Sequence, residues 1–437
     1  MNRVKSQKAW WITAAAVTAV LVGGVAAAGV AYDRSYGDLE HGPAFELADP
    51  ADLMEPVDPV ALDQAARDRL AAGLQGVADG AELGHFGAIV TDAASGETVW
   101  QVDPDTALRP ASSTKVLTAA AAVAELGAED RITTAVYRGE NPGQIVLKAT
   151  GDVWLNSDSL DELAAAVRAS GTPVEEVAVD VSAWSGERIL AGWDPVDVDA
   201  GFVAPLDPVM INGARIDATE GDVPRSHTPA ADVAAALAGR LDADPTAEPT
   251  AAEVPEGAEK IAEVDSPTLT ERIDAMMLDS DNVMAEAIGR EVALARGETG
   301  DAAGATKATL DVLTERGFDT TGTEIHDNSG LSVDNRITPR LLDQVLHYAA
   351  TDSELRPLLT ALPVGGASGT LAERYGDLPG RGWVRAKTGT LDKTSALAGV
   401  VTSENGHQFT FAFISNDADV LAARAGADRL ASLLREA

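Results

Sequence analysis

Hydrophobic and polar positions change their period several times along this 437-residue chain, and each change marks an element. Residues 9–32 are uncharged, and the 23 residues 9–31, as a helix rising ~1.5 Å per residue, would extend about 34 Å, enough to cross a bilayer. Residues 34–58 are rich in Asp, Glu, Pro and Gly without sustained periodicity, as expected of a linker. Helical spacing begins at 60–74, and 86–92, 93–96 and 97–102 read as strand, turn and strand. After Pro110 the apolar run 116–126 predicts a helix, with Ser112 placed to cap it.

From 131 to 261 the pattern shifts to short β-like runs (145–149, 177–181), one helical run (159–169) and loops carrying Trp154, Trp184 and Trp193. A Pro/Ala/Glu-rich stretch follows at 241–257. This block reads as a smaller β-rich domain inserted into a host formed by 59–130 and 262–437. Helices are predicted at 268–278, 283–296, 303–316 and 339–350, then strands at 383–387, 396–402 and 408–415, and a last helix at 417–435. Ser403-Glu404-Asn405-Gly406 supplies a hairpin turn, since Asn-Gly tolerates the positive φ such turns need. The fold class expected is α/β or α+β, an antiparallel sheet flanked by helices.

Charge narrows the partners. A formal net charge of -36 repels phosphate backbones, so nucleic-acid binding through a basic face is excluded. Arg3, Lys5 and Lys8 precede the apolar run and set that end in the cytoplasm, which sends the rest of the chain outside. Segment 1–33 is therefore a membrane anchor or a signal. Ala26-Ala27-Ala28 resembles a small-residue cleavage site, whereas the length of the run favours an uncleaved anchor. Cysteine is absent, which removes disulfides, thiolate metal sites and thiol catalysis. The six histidines form no H-E-x-x-H cluster, and no G-x-S-x-G elbow is present, so neither a metal nor another cofactor is expected.

Three short elements carry the chemistry: Ser112-Ser113-Thr114-Lys115, Ser280-Asp281-Asn282, and Lys387-Thr388-Gly389-Thr390. An S-x-x-K match arises by chance roughly once or twice in such a chain, but K-T-G or S-D-N each in roughly one chain in ten or fewer. Their conjunction in this order is the signal. Lysine is scarce: beyond the amino-terminal tip only Lys115, Lys148, Lys260, Lys307, Lys387 and Lys393 occur, and two of these fall in the required elements.

Positions i and i+3 share a helix face, which puts the Lys115 amine beside the Ser112 hydroxyl; burial would lower its pKa and let it accept the serine proton. Ser113 has Val116 at i+3 and lacks such a partner. Ser280 and Asn282 can project from one interhelical loop into a shared cleft, Ser280 to relay a proton and the Asn282 amide to hold a carbonyl, while Asp281 points away. On a strand, Lys387, Thr388 and Thr390 offer cationic and hydroxyl recognition of a carboxylate, and Gly389 permits close backbone approach. The N–H groups of Ser112 and Thr390 are candidates for an oxyanion hole.

These elements resemble the signature of penicillin-binding proteins and serine β-lactamases. Pro110-Ala-Ser-Ser-Thr-Lys115, Ser280-Asp-Asn-Val-Met-Ala-Glu286, Asp327-Asn-Ser-Gly-Leu-Ser332 and Leu362-Pro-Val-Gly-Gly-Ala-Ser-Gly-Thr-Leu371 leading to Ala386-Lys-Thr-Gly-Thr-Leu391 are similar to the penicillin-binding protein 4 type of D-alanyl-D-alanine carboxypeptidase/endopeptidase. The resemblance runs from about Leu83 to the carboxy terminus. It implies a DD-peptidase/β-lactamase-like transpeptidase fold and a Ser112 acyl-enzyme that releases terminal D-alanine from peptidoglycan stem peptides. It also implies β-lactam antibiotics as covalent inhibitors, and leaves open a share of cross-link cleavage. Asn328 stands where the family pattern leads us to expect Gly, and the insertion is shorter than in the longest relatives. A β-lactamase is the nearest alternative, but no E-x-x-L-N segment lies between 283 and 386; a non-catalytic wall-binding protein is disfavoured by the intact motif residues.

Overall fold

The computed structural model describes residues 3–36, 60–246 and 248–437. They belong to two units, Met1–Asp58 and Pro59–Ala437. In the first, α1 (Arg3–Tyr36) is one uninterrupted helix, and its stretch Trp10–Tyr32 has mean hydropathy 2.1 with none of it buried. It is long and apolar enough to cross a membrane. The linker expected over 34–58 lies outside the described residues from residue 37 onward.

The second unit begins with α2 (Gln64–Asp79), where the Asp63 side chain accepts the Ala66 N–H and so starts the helix later than the apolar spacing suggests. Strands β1 (His85–Asp92) and β2 (Thr98–Val102) follow, and a 3₁₀ turn (Ala111–Thr114) leads into α3 (Lys115–Leu126). Residues Lys115 to Val123 of α3 are buried on every side, as an Ala-rich helix allows when neighbours pack closely around it.

Next come β3 (Thr133–Arg138), β4 (Gln144–Lys148), β5 (Asp152–Leu155), α4 (Ser157–Ala169), β6 (Glu176–Asp180), the short α5 (Val196–Asp199), β7 (Val209–Ile211), α6 (Pro229–Leu241), β8 (Asp244–Pro245) and β9 (Lys260–Asp265). Five of these strands form a mixed sheet in the order β8-β6-β4-β3-β9, backed by α4 and α6 through Leu160, Leu163, Val167, Val233 and Leu237. A single helical run was expected in this block. The second long helix, α6, has Pro229 at its first turn, the one position where proline's missing N–H costs nothing. This layer is continuous with the rest of the unit: Trp154, Trp184, Trp193 and Met210 share one core with Leu117, Val283 and Ile288.

The chain then enters α7 (Leu269–Asp279), α8 (Asn282–Ala295), α9 (Ala302–Glu315), α10 (Pro339–Thr351) and the short α11 (Arg356–Thr360). It closes with β10 (Val384–Leu391), β11 (Thr394–Thr402), β12 (Gln408–Asn416) and α12 (Val420–Arg435). The main sheet has the order β10-β11-β12-β1-β2, antiparallel throughout. Its two faces follow the period of two along β12. Phe409, Phe411 and Phe413 join Leu74 and Leu430 on the side of α2 and α12, whereas Ala412 and Ile414 join the core of α3, α8 and α10. Thr91 and Thr410 both donate to the buried Asp343 carboxylate on α10, pinning that helix to the sheet. Burial on both faces explains the near-continuous apolar runs of β11 and β12.

Candidate active site

Ser112 does not cap a helix. It sits inside the 3₁₀ turn, which no side chain caps, and Ala111 before it holds φ +48, a conformation disfavoured for a residue with a Cβ. The turn is closed by its neighbours: Ser113 Oγ donates to the Pro110 carbonyl at 2.7 Å and Thr114 Oγ1 to the Ala111 carbonyl at 2.9 Å. Ser113 and Thr114 are thereby fully buried, and the Ser112 side chain is left at the wall of a cleft of about 750 Å³. Lys115, one turn on, is also fully buried, with Nζ 3.1 Å from Ser112 Oγ, 2.7 Å from Asn282 Oδ1 and 2.6 Å from the Ser329 carbonyl. Burial pulls its pKa down to about 8, against the opposing pull of the Asp327, Asp281 and Glu286 carboxylates.

The second element is the junction of α7 and α8. Ser280 ends α7 in the left-handed conformation (φ +59), and Asp281 starts α8 by accepting the Met284 N–H at 2.9 Å. The other Asp281 oxygen accepts from Arg215 at 2.6 Å and Arg225 at 2.7 Å, all three side chains being buried. Burial alone would raise this carboxyl, but the charges of Arg225 and Arg215 outweigh it and hold it at about 2. The Asp281 carboxylate is thus buried against the two arginines, while Ser280, Asp281 and Asn282 all line the cleft. The Asn282 amide is oriented from both ends, with Oδ1 on Lys115 and Nδ2 donating to the Phe202 carbonyl at 3.0 Å; this leaves one amide proton for a ligand.

The third element lies on β10, an edge strand of the main sheet. Lys387 is fully buried and donates to Ser280 Oγ at 2.8 Å and to the Thr388 carbonyl at 3.1 Å. Burial, and then the charge of Lys115, push its pKa well below the usual amine range. A Cβ on Gly389 would lie 2.5 Å from the Pro110 carbonyl, so glycine is what lets β10 rest against the Ser112 turn. Thr388 shares a 2.8 Å hydrogen bond with Thr370, and Thr390 Oγ1 accepts from Arg424 at 3.2 Å. All three elements thus converge, with the Ser112–Lys115 pair and the Ser280–Lys387 pair at one cleft.

The sequence reading quoted Glu286 and the Asp327–Ser332 segment for their resemblance but gave them no part in holding these residues in place. Ser329, whose carbonyl accepts from Lys115, sits in a loop organised by Asp327. That carboxylate accepts from the N–H groups of Gly330 and Ser332, from Asn335 Nδ2 and from Trp193 Nε1 at 2.7–3.0 Å. Glu286 on α8 accepts the N–H groups of Asn328 and Ser329 at 2.8 and 2.9 Å, and burial together with Asp327 raises its pKa to about 7. Asn328 fits because Gly289 faces it: a Cβ there would come within 2.4 Å of the Asn328 side chain. Arg215, Arg225 and Arg424 carried no local signal beyond their charge.

The model of the D-Ala-D-Ala carboxypeptidase 3 (S13) family matches residues 70–223 and 219–437. A carboxypeptidase DacB of Mycolicibacterium smegmatis is 41% identical over 445 residues, covering 96% of this chain and 95% of its own length. A carboxypeptidase of Mycobacterium tuberculosis is 43% identical over 367 residues, covering 79% of each. Among solved structures, penicillin binding protein 4 (dacB) from Haemophilus influenzae is similar with a TM-score of 0.70 at 21% identity, covering 83% of this chain and 98% of that one, which shows a shared fold. The family match takes in both the strands of the main sheet and the layer between them, and the chain belongs to the D-Ala-D-Ala carboxypeptidase 3 (S13) family.

Proposed function

We propose that this protein is a serine-type D-Ala-D-Ala carboxypeptidase acting on peptidoglycan stem peptides through a Ser112 acyl-enzyme, with Lys115, Ser280 and Asn282 as catalytic partners and Lys387, Thr388, Gly389 and Thr390 as the substrate-binding strand. The observation that carries this reading is the 3.1 Å contact between Lys115 Nζ and Ser112 Oγ in the cleft that also holds the Lys387–Ser280 pair.

The extended peptide adds along the edge of β10 beyond Ala386, where the 363–365 segment no longer pairs with it, its terminal carboxylate towards the Thr388 and Thr390 hydroxyls. Neutral Lys115 takes the Ser112 proton as Oγ bonds to the carbonyl carbon between the last two residues. The Ser112 and Thr390 N–H groups receive the oxyanion, a contribution of about 3–4 kcal/mol in such sites. When the tetrahedral intermediate collapses, the C–N bond breaks and the leaving amine takes a proton relayed through Ser280, whose hydroxyl Lys387 orients. Free D-alanine departs, and water then cleaves the ester and restores Ser112. A β-lactam presents the same carbonyl and carboxylate and acylates the same oxygen.

We further read 59–130 with 262–437 as the catalytic part and 131–261 as its insertion. We place the second unit outside the cytoplasm, held at or released from the membrane by the 1–33 segment; the length and hydropathy of α1 support this. Incubation with a pentapeptide ending in D-Ala-D-Ala tests the activity: free D-alanine is expected, as is covalent labelling by fluorescent penicillin that Ser112→Ala abolishes. Rapid turnover of the penicillin with no D-alanine released would replace the peptidase by a β-lactamase.

A further inference from the structure

The Ser329 carbonyl, 2.6 Å from Lys115 Nζ, can orient that amine only as firmly as its own backbone is held. The peptide unit before it is gripped on both sides. Thr118, one turn after Lys115 on α3, donates to the Asn328 carbonyl at 2.7 Å, and Glu286 accepts the Ser329 N–H at 2.9 Å. The same Glu286 oxygen accepts the Asn328 N–H at 2.8 Å, so two successive N–H groups converge on one carboxylate oxygen. Neither Thr118 nor Glu286 lines the cleft.

Glu286 is fully buried, and its charge is only loosely matched. Its other oxygen accepts from Arg290 Nη1 at 3.2 Å; that guanidinium lies over the Trp184 ring, 5.1 Å from its centroid, and its Nε has no partner among the described residues. The groups facing Glu286 are Arg290 on its own helix, with Asp301 at the start of α9 behind it, and Asp327 in the loop after α9. Those facing Lys115 are Asp327, Asp281 and Glu286, together with Lys387 on β10. Of the three carboxylates, Asp281 is tied to two arginines and Asp327 to four donors, which leaves Glu286 the least compensated. Burial and then Asp327 push its carboxyl up to about 7, so it is ionised across the range in which Lys115, held at about 8, loses its proton.

We propose that Glu286 is a positioning residue for acylation: it fixes the Ser329 carbonyl on Lys115 and sets a negative charge behind that amine, and so governs how readily Lys115 accepts the Ser112 proton. This rests on the Ser112 acyl-enzyme reading above. The sign is definite, because an anionic neighbour favours the charged amine and its removal lets Lys115 become neutral at lower pH.

The test measures the rate of covalent labelling by a fluorescent penicillin between about pH 6 and pH 10, on the full-length chain in detergent, for the wild type, Glu286→Gln and Glu286→Asp. An opposite charge in close contact moves a pKa by roughly 1–3 units, and here a peptide group intervenes, so the pH of half-maximal rate should fall by about half to one unit in Glu286→Gln. Glu286→Asp keeps the charge and should hold the midpoint near that of the wild type, with a lower plateau. A Gln amide would donate towards Arg290, so a slower rate at every pH would accompany even a purely structural role. The midpoint separates the two: one that stays or rises in Glu286→Gln, or falls as far in Glu286→Asp, overturns the proposal. If the wild type takes no label at any pH, the acyl-enzyme reading itself has failed, and the Lys115 titration followed by ¹³Cε NMR then decides on Glu286 alone. A lower midpoint in Glu286→Gln upholds the role, and an equal one ends it. Should Glu286→Gln fail to fold, the same signal in the wild type must show a second inflection where the Glu286 carboxyl titrates, and a single inflection ends the proposal.

Discussion

Raising the pH should speed acylation, because the serine proton has to go to an uncharged Lys115. Burial holds that amine at about 8, so the neutral fraction is about 9% at pH 7, about half at pH 8 and about 90% at pH 9. The second-order rate of acylation by a fluorescent penicillin should therefore climb about tenfold from pH 7 to pH 9 and level off above. Following covalent adduct by gel or stopped flow isolates this step from ester hydrolysis. The same burial has a thermodynamic side with a definite sign. The unfolded amine titrates at 10.5, so the charged form is disfavoured only in the folded state. The penalty, about 3 kcal/mol, is fully present below pH 8 and is relieved as pH rises from 8 to 10.5. A rate that is flat or falls between pH 7 and 9 would refute Lys115 as the base in its neutral form.

Asp281→Asn keeps the shape of the α8 cap but leaves two buried guanidinium groups facing a neutral amide; a loss of about 3–5 kcal/mol, or about 5 °C in Tm for a unit of this size, should appear in thermal unfolding. Because the Asp281 carboxyl is held at about 2 against 3.8, it contributes about 2 kcal/mol above pH 4 that is lost as pH falls through 2, and the acid-unfolding curve of the variant should lack that limb. Gly330 has φ +84, and a Cβ there would stand 1.9 Å from the Ala111 carbonyl, so Gly330→Ala should displace the Ser112 turn and slow acylation about 100-fold, measured by penicillin labelling. Ser113→Ala should still be labelled, since its hydroxyl serves only the Pro110 carbonyl; failure to label would move the nucleophile.

Where a segment's pattern and its caps agree, sequence was enough. Residues 268–278 carry helical spacing behind Thr268, and the helix found, Leu269–Asp279, opens with a reciprocal Thr268–Glu271 capping box. The strand read as 383–387 continues to Leu391, because the polar Thr-Gly-Thr that breaks the apolar pattern faces a cleft instead of a core. Helix α6 was missed because its alanines give little contrast between faces and it runs into a Pro/Ala/Glu-rich stretch. Ser112 looked like a cap because residue type alone does not reveal that Ala111 turns into positive φ. At the site, the residues that meet in the cleft were legible as three motifs. Their supports were not: Arg225 meets Asp281 across 56 positions and Arg424 meets Thr390 across 34, contacts that exist only once the chain has folded.

The main sheet pairs β1 with β12, His85 opposite Asn416, so that its first strand waits for its last. A chain that emerges amino end first has the Ser112–Lys115 pair long before it has the edge strand meant to lie beside it. Until residue 416 is free, β1 has only β2 to bind, and the apolar faces of both hairpin strands stay open to solvent or to a chaperone. Truncations that remove β12 should therefore forfeit the whole main sheet rather than shorten it, and the cleft around Ser112 is complete only when synthesis is almost finished.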